Sequence, residues 1–131
     1  MSTFNAIGVA GTGVTVYRKW LDAVSDNIAN IDNVSRTSEN AFQARYVVAQ
    51  EAQDGNGAQV GGIAYGSAEG KLSYEPDNPL ADTEGYVRRP DIDLGSQMAQ
   101  MIMAQRAYQA NLAVVDRARD SYTAAINLGK G

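Results

Sequence analysis

The chain has no cysteine and no histidine. Disulfides, thiolate nucleophiles, Ser-His-Asp triads and nearly all zinc sites are thereby excluded in one step. A chain without cysteine also tolerates an oxidising compartment without mispairing. Large apolar side chains are scarce too, with only two Phe and one Trp in 131 residues. Small side chains bury little area each, so a single thick core is not available to a domain of this size. No run approaches the ~20 apolar residues that span a bilayer. The first residues, MSTFNAIGVAGTG, lack both the basic segment and the solid apolar core of a cleaved signal. The net charge is −4, and no run of Lys or Arg is longer than Arg88-Arg89. Nucleic acid, which is held by clustered cations, is excluded as a partner on that ground.

What the sequence has in abundance is helical periodicity. Near the N-terminus Ile7, Ala10, Val14, Tyr17, Leu21, Val24, Ile28 and Ile31 recur at steps of three and four. Arg18, Lys19, Asp22, Ser25, Asp26, Asn27 and Asn30 form the opposite, polar face. Gly8, Gly11 and Gly13 each cost about 1 kcal/mol relative to Ala in a helix interior. The expectation is a helix from Val14 to Ile31 within an N-terminal segment 1–31, the first ~13 residues ordering only on assembly.

The C-terminal segment, 91–131, carries a longer stripe: Leu94, Met98, Met101, Gln105, Tyr108, Leu112, Val115, Arg119, Tyr122 and Ile126. Asp91 and Asp93 follow Pro90 at its start, where an aspartate caps free amides, and Gly129 is the expected stop. From Leu94 to Leu128 such a helix runs ~50 Å. A small domain cannot wrap a rod of that length, so the surplus must lie against other chains.

Between the helices, in 32–90, the period changes. Phe42, Ala44, Tyr46 and Val48 alternate as in a strand, followed by the hairpin-turn signal Asp54-Gly-Asn-Gly57. VGGIAYG, KLSYE and EGYVRR read as further short strands, and Asp32 to Asn40 as coil. The predicted architecture is mainly α with a small β insert: two long terminal helices paired as a coiled-coil-like hairpin around a short, β-hairpin-rich middle.

No catalytic, cofactor or metal site emerges. The DIDLG segment lacks the oxygen ligands that a calcium loop needs after its first positions, with Ile102 where the closing glutamate belongs. EGKLS has no upstream glycine loop, and GNGAQVGG is not followed by a helix. None of the 15 acidic residues sits in an apolar setting that would raise a pKa. Gln105, Arg106 and Arg119 have two readings, as a solvated helix face or as polar residues that set register in a helix seam. Tyr108 and Tyr122 likewise read as core or as subunit contacts.

LDAVSDNIANIDN resembles the N-terminal signature of bacterial flagellar axial proteins, S-x-N-I-A-N, at Ser25, Asn27, Ile28, Ala29 and Asn30. DLGSQMAQMIMAQRAYQAN resembles the C-terminal signature of the same proteins, through Asp93, Leu94, Met101, Ile102 and the block Gln105 to Asn111. Gln97 stands where these proteins usually have Glu, and the turn that usually follows the first helix is replaced by DNVSRTSENAFQARYVV. Length and the segment PDNPLADTEGYVRRPDIDL are most similar to the short proximal-rod members of the flagellar basal-body rod family.

The resemblance implies a torque-transmitting structural subunit that is not an enzyme. It also implies flagellar export without a cleaved signal and helical assembly in the periplasmic rod. Implied partners are copies of itself, proximal and distal rod subunits, the membrane-ring adaptor and the export apparatus, with no nucleic acid, direct membrane insertion or cofactor. The expected subunit-interface residues on the N-terminal helix are Ile7, Val14, Tyr17, Leu21, Val24, Asn27, Ile28, Asn30 and Ile31. On the C-terminal helix they are Leu94, Met98, Met101, Ile102, Gln105, Arg106, Tyr108, Asn111, Leu112, Val115, Arg119, Tyr122 and Ile126. The alternative reading is a secreted helical hairpin that forms a discrete heterodimer.

Overall fold

The computed structural model describes residues 3–131. The element order is α1 (Thr3–Ala29), β1 (Arg45–Glu51), β2 (Ala58–Tyr65), β3 (Lys71–Tyr74), β4 (Tyr86–Arg89) and α2 (Leu94–Lys130). The two long helices are in contact and flank two small antiparallel hairpins, β1–β2 and β3–β4. The mainly α architecture with a small β insert is the one the periodicity indicated. The chain forms two compact units, each drawing on both helices and on the insert. One comprises Met1–Leu21, Val47–Gly62 and Ile102–Gly131, the other Asp22–Tyr46 and Ile63–Met101.

In the first unit α1 is helical from Thr3, well before the expected Val14. Residues 1 and 2, also expected to order only on assembly, lie outside the described residues. α2 of the same chain packs against this part of the helix. The Phe4 and Tyr122 rings meet edge to face at 4.7 Å. Nearer the middle of α1, a Cβ added at Gly13 would sit 2.9 Å from Asn111 Oδ1, so the glycine permits close approach of the helices. The pairs 4 with 122 and 13 with 111 make the helices antiparallel here. The Thr12 hydroxyl donates to Val9 O at 2.6 Å and accepts from the Ala58 amide at 3.1 Å. It thereby pins the β1–β2 turn to α1. That turn is the predicted one, with Gly55 and Gly57 at positive φ and the Ala52 amide donating to Gly57 O at 3.0 Å.

The second unit holds most of the buried apolar side chains: Ala23, Val24, Ala41, Ala44, Val87 and Ile92. Here α1 stops at Ala29, two residues before the predicted end. The Asn30 side chain turns back to the Asp26 carbonyl at 2.8 Å, and the Ile31 amide bonds Ile28 O in a tightened last turn. Asp32 to Asn40 has no strand, yet Ser35 exchanges two backbone hydrogen bonds of 2.9 Å with Arg88 on β4. The expected strand at Phe42 begins only at Arg45. The segment before it bonds irregularly, with Ala41 N on Ala68 O and Gly66 N on Ala44 O. β3 and β4 pair antiparallel in the register Lys71↔Arg89, Leu72↔Arg88, Ser73↔Val87, Tyr74↔Tyr86. This turns Val87 inward and leaves Leu72 and Tyr74 exposed. Asp93 caps α2 as expected, accepting from the Ser96 amide at 2.7 Å. Gly129 does not end α2, which continues to Lys130.

Gly70 is the tightest backbone position of this unit. Its φ is +60°, and an added Cβ would meet the Arg89 carbonyl oxygen and, at 2.6 Å, Ala41 Cβ. Neither atom can move aside. Gly70→Ala is expected to cost about 2 kcal/mol or more, read as a lower urea midpoint with unchanged slope.

Candidate assembly surface

The second unit is organised around one buried carboxamide. Asn27 is 0% exposed, and every polar atom of its side chain is engaged. Its Nδ2 donates to Arg45 O at 2.9 Å and to Gln97 Oε1 at 3.0 Å, while its Oδ1 accepts from the Arg45 amide at 2.8 Å. The side chain thus does for Arg45 what a neighbouring strand would do, satisfying its N–H and C=O together. Gln97, 2% exposed, completes the set from α2. Arg45 directs its guanidinium to Asp26 at 3.1 Å, so the buried bonds are made by its backbone alone.

A second polar cluster fixes β3–β4. Glu75 accepts from Arg89 Nε at 2.6 Å, Asn78 Nδ2 at 2.9 Å and Ser73 Oγ at 3.0 Å. These bonds, that from Arg89 foremost, hold its carboxyl down at about 2. Asp82 lies below its usual value chiefly because it accepts from the Tyr86 amide, and also from Thr37 Oγ1 and the Glu84 amide. Arg88 spends its guanidinium on the Glu69 and Thr37 carbonyls.

The expected interface residues fall into three groups. Val24 and Asn27 are buried within the second unit; they have no surface to offer and serve the fold from inside. Ile7, Val14, Tyr17, Leu21, Ile28, Asn30, Ile31, Met101, Tyr108, Asn111, Val115 and Tyr122 are half-buried. Leu94, Met98, Ile102, Gln105, Arg106, Leu112, Arg119 and Ile126 are exposed. Arg119 pairs with Asp116 and Asp120 of its own helix, at 3.6 and 3.8 Å, rather than across a seam.

The line of α2 that lies deepest within the chain runs along one edge of the predicted stripe. It runs through Gln97, Ala104, Asn111 and Ala118, flanked by Met101, Tyr108, Val115 and Tyr122. The helix carries two neighbouring ridges and covers only one. Leu94, Met98 and Ile102, each about half exposed, remain as an apolar ridge on the outside. Sequence reasoning missed Thr12, Gly13 and Ala104 at the close approaches, because small residues give no hydrophobic signal. It also missed an apolar groove of about 220 Å³ lined by Val16, Tyr17, Trp20, Val47 and Ala49 in the first unit. Among the described residues no group of His, Cys, Asp and Glu could hold a metal ion, and no helix is long and apolar enough to cross a membrane.

Two terminal helices in contact, with a ridge left uncovered and a small insert braced by hydrogen bonds, form the architecture that the resemblance to flagellar axial proteins implies. Residues 83–128 match the model of the flagellar basal body rod FlgEFG protein C-terminal family. The chain is 33% identical to the flagellar basal-body rod protein FlgC of Salmonella typhimurium, over 99% of this chain and all of that protein. It is 31% identical to the FlgC of Borreliella burgdorferi over the whole of both chains, and 26% identical to that of Bacillus subtilis over 99% of this chain. The chain belongs to the FlgC family of flagellar basal-body rod proteins, structural rod subunits without enzymatic activity.

Two outcomes test the internal geometry. Asn27→Ala strands the Arg45 N–H and C=O away from water and should cost about 2–4 kcal/mol by thermal or urea unfolding, with Gln97→Ala costing less. Glu75 has a folded pKa below its unfolded one, so its contribution is present above the ordinary carboxyl value of 4.5 and is lost as pH falls towards about 2. Wild-type protein should lose stability across that window, and Glu75→Gln should flatten the profile.

Proposed function

We propose that this subunit is built into the proximal rod through its terminal helices, copies and other rod subunits covering the ridge that the chain leaves open. The ridge of Leu94, Met98 and Ile102 carries this reading, since large apolar side chains on a helix of 37 residues mark a surface that a neighbour covers. Leu112 and Ile126 extend it, and Gln105, Arg106 and Arg119 supply polar contacts that select one alignment. A contact of this kind, made head to tail, need not close on itself and generates a helical tube. Such a tube transmits torque as a shaft. Other proximal and distal rod subunits and the membrane-ring adaptor are its neighbours in this reading. Its route is export by the flagellar apparatus without a cleaved signal, and its place is the periplasm.

Substitution on the ridge separates assembly from folding. Met98→Asp and Ile102→Asp change side chains that are about half exposed in the monomer, so each should shift unfolding by about 1 kcal/mol and leave the chain folded. Complementation of a strain lacking the protein should nevertheless fail to restore swimming. Full motility with both substitutions present would refute the ridge as the assembly surface.

A further inference from the structure

The two compact units differ sharply in charge. The first carries six Lys and Arg against four Asp and Glu, a net of +2; the second carries five against eleven, a net of −6. The excess is localised. On α1, Arg18 and Lys19 are exposed between Tyr17 and Trp20 and make no ion pair with a described residue. Tyr17 and Trp20 line the apolar groove of about 220 Å³, together with Val16, Val47 and Ala49. In the second unit, the end of the β3–β4 hairpin presents Tyr74, 64% exposed, edge to face with Tyr86 at 5.3 Å. Asp77 and Glu84 are exposed in the connection between those strands, and no described cation pairs with either.

We infer that the groove on one copy receives the hairpin end of a second copy, Tyr74 entering beside Trp20 while Asp77 and Glu84 face Arg18 and Lys19. Each half lacks what the other has. The groove is apolar with free cations beside it, and the hairpin end is aromatic with free anions beside it. The volume is sufficient, because a cavity of about 150 Å³ already admits a benzene ring. Ions of one sign on each side steer the encounter and disfavour groove-to-groove or hairpin-to-hairpin contacts. The two surfaces differ, so the contact is heterologous and open-ended, and it gives the assembly a direction. This inference rests on the rod reading above and specifies a contact between copies within it.

The test uses the purified full-length chain in sedimentation velocity at a series of NaCl concentrations. Wild-type protein should self-associate at low salt and dissociate as salt rises. Arg18→Glu with Lys19→Glu, and Asp77→Lys with Glu84→Lys, should each remain monomeric, as should Tyr74→Ser. An equimolar mixture of the two charge-reversed proteins should regain open-ended association with the two alternating, since the hairpin end of each then carries the charge that complements the groove of the other. One chain carrying all four reversals should regain open-ended association. A wild-type chain that stays monomeric at low salt, variants that associate as wild type does, or a mixture that forms no complex overturns the inference. Reversals that abolish swimming while self-association is unchanged would assign the groove to a different subunit and overturn it equally. A strain that swims normally without the protein refutes the rod reading instead, and leaves the contact to be judged in solution.

Discussion

The fold depends on one side chain standing in for a strand. Arg45 opens β1 where no neighbouring strand reaches its backbone, and Asn27 satisfies that backbone from α1 with two hydrogen bonds. The carboxamide is the group suited to the task, having a donor and an acceptor at one planar end. Leucine of similar size would leave two buried peptide groups without partners, and aspartate would offer no donor to the Arg45 carbonyl. With its second proton on Gln97, Asn27 also fixes the first turns of α2 against the end of α1. The approach of the two helices within this unit is therefore set by a hydrogen bond. Bonds of that kind permit one alignment where apolar packing would tolerate several.

The apolar material is divided unevenly. Among the described residues, six of the nine buried hydrophobic ones lie in the second unit, including Val24, Val87 and Ile92. The first unit has Ala10, Val16 and Ala104, two of which have only a methyl group to bury. Burial contributes about 25 cal/mol per Å² of apolar surface, so a core of alanines contributes little. The first unit is held instead by the Thr12 pin, the close approach at Gly13 and the pairing of Phe4 with Tyr122. Small residues at the helix contact bring the backbones together and leave the large ones outside. That is a poor arrangement for a solitary protein and a reasonable one for a subunit.

The sequence made the two helices legible, because a stripe sustained over many turns has few other interpretations. The turn at Asp54 to Gly57 was legible for a similar reason, since two glycines at positive φ were called for and are observed. Which ridge of α2 would face α1 was not legible. Hydrophobicity ranks Leu94 and Met98 above Gln97 and Ala104, whereas the close contact selects for size and hydrogen bonding. Asn27 was misplaced for the same reason: read by polarity it belongs on the solvent face, and read by its bonds it is the most buried side chain of its helix. The strand start moved from Phe42 to Arg45 because alternation marks what a strand tolerates, while the backbone partners decide where it begins.

The two polar clusters of the second unit differ in kind. The Asn27–Gln97 pair is neutral, and at 0% and 2% exposure it can hardly be otherwise. A carboxylate in place of Gln97 would give up its hydration with no described cation beside it, the Arg45 guanidinium being engaged by Asp26. The Glu75 cluster lies nearer the surface, where Arg89 stabilises the ionised form and water screens the pair. Charge is thus placed where solvent can share in holding it, and amides where solvent cannot reach. The orientation of the helices consequently rests on groups that do not titrate, and the brace on the hairpin is left to groups that do.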